Sequence, residues 1–224
     1  MPIPPLSLVL DLDGTLVDSL PDIRTSLNLL LVRAGRRPLA PAEVRGMMGN
    51  GAERLVARAL AHTAPAHDDG AEPGFLDRFL THYTAHGADT TRCFDGVEDT
   101  LRGLRDRGHL LGVCTNKPHE ASLRLIAALG LTDSFDAIVG RDAAPHHKPH
   151  PDHLWATVRN MGGEDRQVVM VGDSTADAQV AQRAGVPLVL AAYGYARVPH
   201  DQLGPAAILQ RFDELPGVLE RLLG

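Results

Sequence analysis

The stretch LSLVLDLDGTLVDS, residues 6–19, ends a run of strand-forming residues with Asp11 and Asp13 and follows them at once with Gly14 and Thr15. Positions i and i+2 of an extended chain point to the same side, so this spacing predicts that the two carboxylates share one pocket. Two anions that close together are costly unless a proton or a cation offsets them. A third acid, Asp173, follows the apolar run QVVMVG, with Asp177 one helical turn further on. Thr115 and Asn116 follow LLGVC, and Lys148 stands just ahead of a helix that Pro149 and Pro151 are suited to start.

Acids, a lysine and small polar groups on one rim can serve a hard cation, a phosphate and a nucleophile together. Oxygen donors suit Mg²⁺, which commonly takes one or two carboxylates plus phosphate oxygens. A carboxylate attacking a dianionic phosphoryl group is repelled unless a metal and a lysine offset the charge. Attack by Asp11 would give an aspartyl phosphate. Asp13 is placed to protonate the leaving alkoxide and then to activate water. The plain alternatives are a turn for Asp-Gly and a helix cap or loop for Thr115 and Asn116. Asp173 and Lys148 supply charges that a turn would not need.

The elements that must position these residues follow from periodicity. Residues 6–10 read as a strand, and then the period changes: Ile23, Leu27, Leu30 and Ala34 recur at helical spacing, with Gly35 as a stop. AERLVARAL from Ala52 and FLDRFLTHYTAHG from Phe75 are two further helical patterns with no convincing strand between them. From Val97 the chain alternates: EDTLRGLRDRG helix, LLGVCTN strand, EASLRLIAALG helix, FDAIVG strand, PDHLWATVRNMG helix, QVVMVGDS strand, ADAQVAQRAG helix, PLVLAAYG strand, then AAILQ and DELPGVLERLL as a short strand and a helix. Such alternation predicts an α/β fold, a Rossmann-like parallel sheet covered by helices on both faces. Because ligands bind at the carboxyl ends of the strands in such sheets, the chemical residues above are expected to converge. The expected division is an α/β core of residues 1–16 and 88–224, with 17–87 inserted as a small all-helical cap. Residues 61–74, AHTAPAHDDGAEPG, read as a loose loop.

Composition narrows the function classes. The chain has 224 residues and a formal net charge of −6, which argues against non-specific nucleic-acid binding. Cys93 and Cys114 form no CxxC pattern and are expected to be isolated buried thiols. No apolar run approaches the length of a membrane span and no signal-peptide pattern opens the chain, so a soluble cytoplasmic protein, monomer or homodimer, is expected. Lys117 and Lys148 are the only lysines among many arginines; Lys117, before a proline, is assigned no chemistry. His146, His147, His150 and His153 crowd one segment without a cysteine or a clean helical pair, so a zinc role is not adopted. Trp155 is expected in the core.

DLDGTLVDS, VCTNK, HHKPHPD and VGDSTAD, in this order and separation, resemble the motifs of haloacid-dehalogenase-superfamily phosphatases over almost the whole chain. The resemblance implies Asp11 as nucleophile, Asp13 as general acid/base, Thr115 and Asn116 as phosphate binders and Lys148 as the charge-stabilising lysine. It implies Mg²⁺ held by the Asp11 side chain, the Asp13 backbone carbonyl and Asp173, with Asp177 supporting. Within the superfamily, VRGMMGNGAERLVARAL, FDGVEDTLRGL, TNKPHE, KPHPD and AAYGYA look most like the phosphoglycolate phosphatases, whose substrate is a small phosphate ester. Gly49, Asn50 and Gly51 would form a tight loop opening a helix, where free N–H groups favour an anion such as a substrate carboxylate. Arg45 or Arg54 could assist. A phosphatase for another sugar, sugar-acid, nucleotide or pyrophosphate ester, a phosphosugar mutase, and a non-catalytic binding protein of the same fold are the competing readings.

Overall fold

The computed structural model describes residues 3–49, 51–64 and 72–224. Asn50 and residues 65–71, half of the loop expected over 61–74, lie outside the described residues.

The strands are β1 (Ser7–Leu10), β2 (Val17–Asp18), β3 (Arg92–Cys93), β4 (Leu110–Cys114), β5 (Ala137–Val139), β6 (Val168–Gly172), β7 (Leu188–Ala191) and β8 (Ala207–Leu209). The helices are α1 (Leu20–Arg33), α2 (Pro41–Arg45), α3 (Gly51–His62), α4 (Phe75–His86), α5 (Val97–Asp106), α6 (His119–Ala128), α7 (Pro151–Asn160), α8 (Thr175–Ala184) and α9 (Leu215–Leu223). Six strands form a parallel sheet in the order β5-β4-β1-β6-β7-β8. The predicted α/β alternation is therefore observed, with strand ends trimmed by a residue or two.

β1 lies at the centre, paired with β4 and β6, and Leu10 is in register with both Val113 and Val171. All four of its residues are buried: Leu8 to Leu10 are apolar and covered on both faces, and the Ser7 hydroxyl donates to the Gly163 carbonyl at 2.9 Å. One face packs Leu8, Leu10, Leu111 and Val171 against α5 and α9, while Val9, Met170 and Leu190 meet α7 and α8 on the other. Half-buried Trp155 packs at the margin of this second layer, and Cys114 is buried within it. Cys93 is only partly buried.

Helices α1 to α4 are inserted after β1 and make their own apolar cluster, including Leu27, Leu31, Val56, Phe75, Phe79 and Tyr83. The Phe79 and Tyr83 rings stack at 5.6 Å between centroids. Two features here were not predicted. The first is the antiparallel ribbon β2–β3, pairing Val17 with Cys93 and Asp18 with Arg92, through which the chain leaves and re-enters the sheet region. The second is α2, which Pro41 opens and where the Glu43 carboxylate accepts a hydrogen bond from the Ala40 N–H at 2.7 Å. No described helix is long and apolar enough to cross a membrane.

Candidate active site

The central strand delivers Asp11. Its N–H donates to the Val171 carbonyl at 2.9 Å, which continues the β1–β6 pairing one step beyond the strand. Its Oδ1 accepts from the Leu12 N–H at 2.8 Å and from Lys148 Nζ at 2.8 Å. Asp13 lies at the same rim. The chain turns at Gly14 with φ of +89°, a conformation that favours glycine. A Cβ on Gly14 would also stand 2.4 Å from the Asp173 carboxylate and 2.7 Å from the Tyr195 ring, so the residue is required for space as well as for conformation.

Strand β6 delivers Asp173. Its Oδ2 accepts from the Tyr195 N–H at 2.6 Å and its Oδ1 from Thr15 Oγ1 at 3.1 Å. Helix α8 starts with a capping box: Ser174 Oγ accepts from the Asp177 N–H at 3.3 Å, and Asp177 Oδ2 accepts from the Ser174 N–H at 2.9 Å. Asp177 Oδ2 also accepts from the Asp173 N–H at 3.2 Å, while its Oδ1 accepts from Lys148 Nζ at 2.6 Å. Both oxygens of Asp177 are thus occupied in holding the loop and the lysine, which fits a supporting role.

Lys148 is fixed from its backbone outward. Its N–H donates to His153 Nδ1 at 3.1 Å and its carbonyl accepts from Asn116 Nδ2 at 3.0 Å. Asn116 Oδ1 is buried without a partner, and Thr115 Oγ1 accepts from the Lys117 N–H at 3.2 Å. The histidine cluster therefore divides. His153 is buried and positions Lys148, its other ring nitrogen lying 3.2 Å from the Val139 carbonyl. His150 caps α7 by accepting from the Asp152 N–H, and His146 pairs with Asp152 at 3.1 Å on the surface.

Electrostatics mark the acids. Burial, with the neighbouring charge of Asp177, pushes Asp11 up to about 7 against the opposing pull of Lys148. Burial and the charges of Asp177 and Asp11 push Asp173 well above the usual carboxylate range. Oxygens of Asp11, Asp173 and Asp177 lie within 4.8 Å of one another. This carboxylate cluster could hold a hard divalent cation, and the all-oxygen donor set fits Mg²⁺. The charge crowding is of the kind that a cation relieves.

Above the rim, Ile23, Met48, Leu55, Phe79 and Tyr83 of the inserted helices close a cavity of about 70 Å³ over Asp11, Asp13, Thr115, Asn116, Lys117 and Lys148. Gly49 and Gly51, with φ of +94° and +81°, bring the start of α3 to the cavity wall; a Cβ on Gly51 would lie 3.6 Å from the Asn116 carbonyl. Gly49 and Gly51 therefore line the cavity, while Asn50 is outside the described residues. The arginines considered for it are not at the cavity wall. Arg45 donates to the Gly194 and Tyr193 carbonyls, and Arg54 is exposed.

Sequence reasoning missed three contributors. Lys117, set aside as an ordinary lysine before proline, is buried, with Nζ 3.1 Å from Asp13 Oδ1, hydrogen bonded to Tyr83 Oη and 4.2 Å from the Tyr83 ring centroid. Tyr83 had been only a helix-pattern residue. Tyr195 holds Asp173 with its N–H, while its hydroxyl donates to Asp18 Oδ1 at 2.6 Å and accepts from the Ser19 and Leu20 N–H groups. For Lys117 a signal existed: it is one of two lysines in an arginine-rich chain, and the other is Lys148.

Residues 8–191 match the haloacid dehalogenase-like hydrolase family. The chain belongs to this family. Among hydrolases of this kind, it is 41% identical over 216 residues to the phosphoglycolate phosphatase of Cereibacter sphaeroides, covering 96% of this chain and 98% of that one. It is 39% identical over 217 residues to the phosphoglycolate phosphatase of Caulobacter vibrioides, covering 97% and 92%. A crystal structure described as a predicted phosphoglycolate phosphatase from Haemophilus somnus superposes with a TM-score of 0.86 at 30% identity, over 96% of this chain and 97% of that one. The haloacid dehalogenase-like fold accounts for the parallel sheet covered by helices.

Proposed function

We propose that this hydrolase cleaves a small phosphate monoester through an aspartyl-phosphate intermediate, with 2-phosphoglycolate as substrate and glycolate and phosphate as products. The observation that carries the reading is the contact of Lys148 with both Asp11 and Asp177, at 2.8 and 2.6 Å, beneath a small cavity that also holds Asp13. A carboxylate suited to nucleophilic attack, its counter-charge and a second carboxylate suited to proton transfer line one cavity.

An oxygen of Asp11 would attack phosphorus while the bond to the ester oxygen breaks. The leaving alkoxide would take its proton from Asp13, which then receives a proton from the water that hydrolyses the aspartyl phosphate. Lys148 offsets the charge gathered on the phosphoryl oxygens and keeps Asp11 oriented. Thr115 and Asn116 lie at the end of β4, where their polar groups can face the same oxygens. Mg²⁺ would be held by the carboxylates of Asp11 and Asp173 and the Asp13 carbonyl, with Asp177 holding the loop behind them. When bound, it would supply positive charge to offset that of the phosphoryl oxygens.

Residues 17–87 would act as a cap on a core of 1–16 and 88–224, excluding water and setting substrate size. The roughly 40% identical relatives named phosphoglycolate phosphatase, and the limited cavity volume of about 70 Å³, favour a small ester over a bulky sugar phosphate. The reading includes a cytoplasmic enzyme, monomeric or homodimeric, that acts without nucleic acid or membrane. The test is Mg²⁺-supported phosphate release across a panel of phosphate esters ranked by kcat/KM. The expected result is 2-phosphoglycolate first. A preference for a bulky sugar phosphate by more than about tenfold, roughly 1.4 kcal/mol of transition-state binding, would overturn the substrate choice.

A further inference from the structure

The cavity wall contributed by the inserted helices is almost entirely apolar: Ile23, Met48, Ala52, Leu55 and Phe79 line it, and Tyr83 supplies its only described side-chain hydroxyl. No described arginine lines the cavity. Its cationic side chains are Lys148 and Lys117, the only lysines of the whole chain. Lys148 is committed to Asp11 and Asp177 on the core side. Lys117 is different. It is buried on the cap side of Asp13, with one carboxylate and one tyrosine hydroxyl as its hydrogen-bond partners.

An ammonium carries three N–H donors. The two Asp13 oxygens lie 3.1 and 3.4 Å away in one direction, and Tyr83 Oη takes a second direction. A third N–H is left for the cavity that the ammonium lines. A compact ammonium fits where a planar guanidinium, with five donors and a wider fork, would not be satisfied. That difference accounts for a lysine here in a chain that otherwise uses arginine.

We infer that Lys117, together with the Tyr83 hydroxyl, receives a carboxylate on the leaving-group side of the substrate and so makes the site selective for phosphate esters of hydroxy acids. The inference rests on the phosphatase reading above and deepens it. A carboxylate entering this apolar wall without a partner would be strongly disfavoured, and the ammonium with a neutral hydroxyl beside it gives it a charge-assisted hydrogen bond. Gly51, at the start of α3, lies against the Asn116 carbonyl, so the helix N-terminus faces the same corner and adds to the pull on an anion. Because Lys117 also touches Asp13, the same contact would draw the carbon bearing the carboxylate toward the proton donor.

The test compares kcat/KM for 2-phosphoglycolate with that for ethyl phosphate, which lacks the carboxylate, in wild type, Lys117→Met and Tyr83→Phe. The ratio of the two values within one preparation does not depend on how much of it is folded. Wild type is expected to favour 2-phosphoglycolate, Lys117→Met to lower the ratio about a hundredfold, and Tyr83→Phe to lower it about fivefold. Lys117→Arg is expected not to restore it. A wild-type preference that persists in Lys117→Met overturns the inference and leaves the substrate reading standing. Equal losses on both esters overturn it too, since Lys117 would then act on Asp13 alone. A wild-type ratio near one overturns the substrate reading and this inference together.

Discussion

Asp11 is held in a conflict of forces that shapes what its replacement should do. Burial and Asp177 press toward its neutral form, while Lys148 favours the anion. Asp11→Asn keeps the shape and the Leu12 N–H contact but removes the nucleophile and one negative charge. Turnover is expected to fall by at least about a thousandfold, as when other nucleophiles are removed, while the melting temperature stays unchanged or rises. Retained phosphate release in that variant would rule out the aspartyl-phosphate route. Lys148→Met strips the counter-charge from Asp11 and Asp177 at once. Its side chain is 1% exposed, so the expected loss is about 3–5 kcal/mol in chemical denaturation, alongside lost turnover. His153 gives a pH signature. Burial, reinforced by the nearby Lys148 charge, lowers it from 6.5 to about 4. As pH falls from about 6.5 to about 4, the unfolded chain takes up a proton that the folded chain refuses, so stability falls across that window. His153→Gln is expected to flatten this part of the curve of denaturation midpoint against pH; an unchanged slope would show that other groups govern it.

At the scale of elements, the joint between sheet and inserted helices concentrates its polar contacts on one acid. Asp22, in the first turn of α1, accepts from the N–H groups of Thr90 and Thr91 at 2.9 and 2.8 Å and from both threonine hydroxyls. Thr91 is fully buried. Asp22→Ala would take this acceptor from the two N–H groups and the Thr90 hydroxyl, the Thr91 hydroxyl keeping the Gly87 carbonyl at 2.9 Å, and a loss of about 3 kcal/mol is expected in urea denaturation, with Asp22→Asn losing less. The joint also separates what periodicity can and cannot reveal. Long amphipathic helices and apolar strands announced themselves: α5 buries Val97, Leu101 and Leu104 on one face, and β1 carries the apolar run Leu8 to Leu10. β2 and β3 have two residues each, too few for an alternation, and α2 has five. Asp22 had no visible purpose in the sequence because its partners lie 68 and 69 residues away. The site was legible to the extent that its residues end strands. Lys117 and Tyr195 escaped because their roles depend on what the inserted helices and the β7 end bring opposite them.

Taken whole, the molecule gathers the ends of β1, β4 and β6 beneath a lid contacted from several directions, including Glu53 with Arg141 at 2.8 Å and Arg45 with the Gly194 carbonyl. Occupation of the acids by Mg²⁺ should therefore be felt globally. At about a hundred times its dissociation constant, the ion is expected to add about 2.7 kcal/mol, a rise in melting temperature of about 5–10 °C for a chain of this size, reversed by a chelator. Asp173→Asn is expected to lose most of that response, and a full response in the variant would move the cation elsewhere. Gly14 and Gly194 press against Asp173 so closely that a Cβ on either would come within 2.4 Å of it, so Gly194→Ala is expected to weaken the same response without adding or removing a charge. The placement of both lysines has a practical consequence for chemical labelling. Lys117 and Lys148 are buried in the site, so no lysine amine is exposed on the folded protein. Amine-directed dyes, crosslinkers and acylating agents should find no lysine on the native surface, and their uptake at Lys117 and Lys148 would become a direct measure of opening.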